Sequence, residues 1–224
     1  MKEFRAMNVE SRKVRIESGS VTLEGELSVL ENASGIVLFA HGSGSSRHSP
    51  RNQYVARVIR EAGVATLLFD LLTREEEAVD LTTRHLRFDI SLLARRLIEA
   101  TTWIQKQDDT RHLRVGYFGS STGGGAALVA AAAADGIGAV VSRGGRPDLA
   151  GPALRNVKAP TLLIVGGRDE VVINLNREAY AELRYEKELK IVPGASHLFE
   201  EPGALEEVAR LAAEWFRSHL QLDR

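Results

Sequence analysis

The sequence predicts a three-layer α/β/α sandwich: a mostly parallel, doubly wound sheet with an antiparallel hairpin at its N-terminal end. Three observations predict it. Two opening segments alternate apolar and polar residues, as half-exposed antiparallel strands do. Six short, continuously apolar runs follow, the pattern of strands buried on both faces. Helical segments separate those runs, and strands alternating with helices imply crossovers within a parallel sheet.

The elements follow in order. "RKVRIES" and "VTLEGELSVL", separated by Gly19 and Ser20, form the hairpin. The apolar runs are "GIVLFA" (35–40), "VATLLFD" (64–70), "LRVGYFG" (113–119), "GAVVS" (138–142), "PTLLIVGG" (160–167) and "LKIVPG" (189–194). The helical segments are "NQYVARVIREAG" (52–63), closed by a glycine, and "FDISLLARRLIEATTWIQKQ" (88–107), with Ile90, Leu93, Leu97 and Ile104 at helical spacing. "STGGGAALVAAAAA", "NLNREAYAEL" (174–183) and "LEEVARLAAEWFRSHL" (205–220) complete the set. No repeat or long linker interrupts this pattern, so residues 1–224 read as one domain.

The bulk numbers narrow the function. The 224 residues suffice for a full α/β core, and 44% hydrophobic with 26% charged residues is an ordinary globular composition. A net charge of −1 gives no electrostatic reason to expect nucleic acid or an anionic membrane as partner. The absence of cysteine removes disulfides, thiolate catalysis and cysteine-based zinc sites, and fits a reducing compartment. The N-terminal segment has no apolar core of a secretory leader, and no apolar run approaches the roughly 20 residues of a membrane span. These features predict a cytoplasmic protein.

In a doubly wound sheet, ligands bind beyond the carboxyl ends of the strands. The segments there carry the chemistry. Gly119-Ser120-Ser121-Thr122-Gly123 reads G-x-S-x-G between a strand and a helix. That turn exposes the central side chain, Ser121, above a helix N-terminus whose dipole favours developing negative charge. A serine hydroxyl needs a base, and the base needs an orienting acid. His197 in "GASHLF" is the candidate base, since His219 lies in the last helix near the chain's end. Asp169 in "GGRDEVV" follows a strand and is favoured as the acid over Glu170 and Asp148, the latter reading as a helix cap. The oxyanion needs N–H donors: that of Thr122, and one from "HGSGSS", most naturally Ser43 with Gly44 as the alternative; Gly44 is also a candidate for binding substrate. His41 reads as a brace for that loop. The same glycine-rich turns do not fit a phosphate cradle, because "GSSTGGG" lacks the lysine of a P-loop and Arg47 replaces the third glycine of a dinucleotide fingerprint.

Taken together, "HGSGSS", "GSSTGG", "GGRDEVV" and "GASHLF" resemble the α/β-hydrolase fold in its small dienelactone hydrolase-like branch, from about Arg12 to Leu220. The resemblance implies a Ser121–His197–Asp169 hydrolase with Ser43 and Thr122 amides as oxyanion hole, acting on a small-molecule ester or lactone without metal or organic cofactor. Dienelactone hydrolases proper use a cysteine nucleophile; serine here points toward carboxylesterase activity. The short connection "RGGRPDLAGPALRNVKA" implies little or no cap and an open site. A non-catalytic ligand-binding or regulatory module is the alternative use of such a fold, and a homodimer is compatible with either. Arg143 and Arg146, flanking two glycines at a strand end, and Arg74 after Asp70 are candidates for binding a substrate carboxylate.

Overall fold

The computed structural model describes residues 9–221. Eight strands, β1 (Val9–Ser18), β2 (Val21–Leu30), β3 (Ile36–Ala40), β4 (Ala65–Phe69), β5 (Val115–Ser120), β6 (Ile137–Arg143), β7 (Thr161–Gly166) and β8 (Lys187–Val192), form one sheet. Their spatial order is β1-β2-β4-β3-β5-β6-β7-β8. β1 and β2 pair antiparallel from Val9↔Leu30 to Ser18↔Val21, and β2 joins β4 antiparallel. Every later pairing is parallel. The predicted architecture holds, hairpin included.

Six α-helices are described: α1 (Pro50–Glu61), α2 (Arg74–Thr83), α3 (Ile90–Ile104), α4 (Thr122–Ala133), α5 (Glu170–Glu182) and α6 (Ala204–His219). α1 packs with α6, and α3 with α4. The central strands serve both layers. Ile36, Leu38 and Ala40 of β3 enter one core, while Val37 and Phe39 enter the other. This is why "GIVLFA" reads as continuous apolar sequence: period-2 alternation of side chains meets a helix layer on each face. Phe39 stacks against Phe118 of β5 with ring centroids 4.9 Å apart, locking the two strands whose ends build the site. No described helix is long and apolar enough to cross a membrane.

Two elements depart from the expectation. β8 is an edge strand, and only Val192 of it is buried. Its lysines and glutamates line an open edge instead of a core, which discourages strand addition. α2 was not expected at all. Its signal was a capping box, in which Thr73 Oγ1 accepts the Glu76 N–H while the Glu76 carboxylate accepts that of Thr73. The helix lacks an apolar inner stripe: Asp80 is its buried residue, whereas Val79 and Leu81 are exposed. Asp80 instead accepts the N–H groups of Leu86 and Arg87 and pairs with the Arg87 guanidinium.

Candidate active site

Ser121 stands at the apex between β5 and α4, with φ 50° and ψ −122°. A non-glycine residue at positive φ is strained by about 1–3 kcal/mol, and the surrounding structure must hold it there. Its N–H donates to Arg143 O at 3.3 Å, and its carbonyl accepts from Gly124 at 2.9 Å and Arg146 at 3.0 Å. These bonds pin the turn to the end of β6. The glycines behind it have a defined task. A Cβ on Gly123 would collide with the carbonyl of Ala40 and stand 2.6 Å from that of His41, so α4 starts in contact with the end of β3.

Asp169 caps α5 just past β7, and His197 lies in the turn after β8. His197 Nδ1 and Asp169 Oδ2 are 2.6 Å apart. The carboxylate, with only 16% of its side chain exposed, accepts the hydrogen bond from Nδ1–H and leaves Nε2 as the acceptor nitrogen. Ser121 and His197 line one pocket of about 280 Å³ together with Ser43, Asn52, Arg51 and Arg143. Glu170 is exposed, and Asp148 is held by Arg146 through two bonds of 2.8 and 2.7 Å. Neither carboxylate bonds to His197.

The loop after β3 is built as a rigid turn. Ser45 N–H donates to Gly42 O at 3.1 Å, with Gly44 at φ 69°. His41 braces it: Nδ1–H donates to Gly42 O at 3.0 Å and Nε2 accepts from Leu71 N–H at 3.0 Å. Burial lowers the His41 pKa, so the ring stays neutral in this role. The Ser43 N–H donates to Thr122 Oγ1 at 3.0 Å. The Thr122 N–H, at the first position of α4, has no acceptor among the described residues.

Several residues proposed from sequence stand elsewhere. Arg74 is largely exposed and reaches only Glu24, at 3.4 Å. Arg146 turns to Asp148 and does not line the pocket. Gly44 lines a small neighbouring cavity with Arg87, on the other side of the loop after β3. Arg143 does line the pocket over Ser121. Sequence reasoning missed Ser49, Arg51 and Asn52, which reach the pocket from the first turn of α1; their signal was the position of that helix immediately after the glycine-serine loop. The connection from β6 to β7 folds as a 3-10 segment, Pro147–Asn156, packed against α4 and α5, and leaves the site uncovered.

Sequence reasoning also passed over Glu201. Its Oε2 accepts the Ser196 N–H at 2.9 Å, and its carboxylate pairs with Arg168. Ser196 precedes His197 and Arg168 precedes Asp169, so one carboxylate ties the two loops together. The Ser196 amide, foremost, holds the Glu201 pKa down to about 2. The unfolded value is about 4.3. A depressed folded pKa stabilises fully above the unfolded value and loses that contribution as pH falls toward the folded one. Glu201→Gln is therefore expected to melt a few degrees below wild type at pH 6, with the gap narrowing below about pH 4 and closing only near pH 2. Thermal melts of both proteins across that range check it; a gap independent of pH would contradict the assignment.

A model of the dienelactone hydrolase family matches residues 26–222. The chain is 60% identical over 215 residues to the "Putative phosphoribosyl transferase" of Mycobacterium tuberculosis strains CDC 1551 and H37Rv. That match covers 95% of the chain and 47% of each relative, so the chain spans about half the length of these proteins. The crystal structure of a dienelactone hydrolase from Anabaena variabilis superposes with a TM-score of 0.93 at 63% identity, covering 95% of this chain and 99% of that one. Est1E from Butyrivibrio proteoclasticus shares the fold, with a TM-score of 0.77 at 16% identity over 92% of this chain and 98% of its own.

Proposed function

The chain belongs to the dienelactone hydrolase family, and we propose that it is a serine hydrolase that cleaves small carboxylic esters or lactones through an acyl-enzyme on Ser121. The observation that carries this reading is the strained Ser121 turn opening into the same pocket as His197, whose ring Asp169 orients at 2.6 Å.

Ser121 Oγ attacks the acyl carbon while His197 Nε2 takes its proton. The imidazolium so formed keeps its Nδ1–H on Asp169. The carbonyl oxygen becomes an oxyanion, which the unbonded Thr122 N–H receives at the helix N-terminus. The Ser43 N–H is the second donor; it exchanges Thr122 Oγ1 for the oxyanion or shares its proton between them. The tetrahedral intermediate collapses as His197 protonates the leaving alcohol. Water then attacks the acyl-enzyme by the same proton path and frees Ser121.

An uncovered pocket of about 280 Å³ suits short acyl groups. The name of the mycobacterial relatives belongs to proteins about twice the matched length, and no observation in this site favours phosphoribosyl transfer. A fluorophosphonate probe is expected to label the wild-type chain at Ser121, and a panel of p-nitrophenyl esters to show turnover that falls with acyl length. Absence of both labelling and turnover would favour the non-catalytic ligand-binding module.

A further inference from the structure

The pocket over Ser121 holds a cation that no carboxylate among the described residues pairs with. Arg143, at the end of β6, is 6% exposed. Its Nη2 donates to Asn52 Oδ1 at 3.1 Å and to Ser120 Oγ at 3.0 Å, both neutral oxygens. Its Nε is buried without an acceptor. Its Nη1 bonds to no described residue and, unlike Nε, is not sealed in. The face of the Phe199 ring lies 5.8 Å from its guanidinium carbon. Burial pulls the Arg143 pKa down to about 10, and the neighbouring charge of Arg51 pushes the same way. A buried, unpaired charge is costly unless something completes it.

The rest of the pocket wall points the same way. Asn52 Oδ1 accepts from Ser120 Oγ and from Arg143, which fixes the amide and leaves Nδ2 as a donor on the pocket side. Arg51 is half-exposed and holds Glu200 only loosely, at 3.2 Å. All of this sits at the N-terminus of the 12-residue helix α1, whose cap Ser49 also lines the pocket.

On the reading of this site as a hydrolase centre, we propose that the pocket beside Ser121 is a phosphate subsite, and that the substrate is a small carboxylic ester or lactone bearing a phosphate monoester. The phosphate stays intact; it anchors the molecule while Ser121 attacks the acyl carbon. The donor arrangement favours phosphate over carboxylate. Both edges of a guanidinium that can grip a carboxylate with two parallel N–H groups include Nη2, and Nη2 of Arg143 already donates to Asn52 and Ser120. What remains are single donors converging from β6 and α1, an arrangement that suits the diverging oxygens of a tetrahedral anion.

Calorimetry with inorganic phosphate, and with acetate as the planar comparison, tests the subsite on the intact chain. Phosphate is expected to bind and acetate to bind at least about tenfold more weakly. Arg143→Met should weaken phosphate about tenfold or more, and Arg51→Gln, on the helix surface, about threefold. The preference of the wild type for the phosphate monoester of 2-hydroxyethyl acetate over 2-hydroxyethyl acetate itself, as a ratio of kcat/KM, should fall in the same two variants. No phosphate binding, binding unaltered in both variants, or tighter binding of acetate would overturn the subsite. A chain that hydrolyses neutral esters but ignores phosphate loses the subsite alone. One that binds phosphate through Arg143 yet shows neither labelling nor turnover keeps the subsite and loses the hydrolase reading.

Discussion

Ser121→Ala is expected to lower kcat for a p-nitrophenyl ester by roughly 10⁴- to 10⁶-fold, while the fold and its melting temperature survive. The reasoning is local. The hydroxyl contributes no hydrogen bond to the turn; the turn is held by the backbone of residue 121, through Arg143, Gly124 and Arg146. Alanine keeps that backbone and removes only the nucleophile. His197→Ala should cost a similar amount, and the double variant little more than either alone, because nucleophile and base act as one unit. Steady-state rates on the three proteins, with circular dichroism to verify folding, decide the matter. A Ser121→Ala protein retaining more than about a hundredth of wild-type kcat would remove Ser121 from the chemistry.

The second large effect falls on stability. Gly123→Ala places a methyl group into the carbonyls of Ala40 and His41, which are backbone atoms of β3 and its following loop and have no rotamer to yield. The helix must lift off the sheet or the strand end must shift. Overpacking of this kind costs about 3 kcal/mol or more. In a chain of this size, that is a drop in melting temperature of roughly 10 °C. Activity at low temperature should suffer as well, since the same contact sets the distance between the Thr122 and Ser43 amides. Differential scanning calorimetry of Gly123→Ala checks it: alanine has the higher helix propensity, so a fall in melting temperature reports the collision.

How much of this was legible in the residues follows from what kind of information each feature carries. The strands of the parallel core were readable because burial on both faces leaves no polar position, as in β3. The Ser121 turn was readable because a strained apex between strand and helix demands small neighbours. Asp169 and His197 followed from chain order, and the structure places their side chains in contact. α2 was illegible to a search for apolar periodicity because its inward residue is Asp80, satisfied by Leu86, Arg87 and their amides. Arg143 could not be told apart from Arg74 and Arg146 by sequence. All three follow a strand end near acids or glycines, and only the fold shows that Arg146 has Asp148, Arg74 has Glu24 and Arg143 has no acid among the described residues. Asn52 could be read from sequence only as the start of a helical segment; its role depends on where α1 meets the neighbouring strand ends.

The backbone of Ser121 carries one more consequence. A residue held at φ 50° for the sake of where its oxygen points is a position at which selection for activity and selection for stability disagree. Glycine would relax that conformation at no steric expense, so the most stable sequence for this fold is not the active one. The native chain sits below its own stability optimum by the strain of one residue, and the rest of the Ser121 turn, from the bonds to Arg143 and Arg146 to the close seat of α4, is the structure that keeps it there.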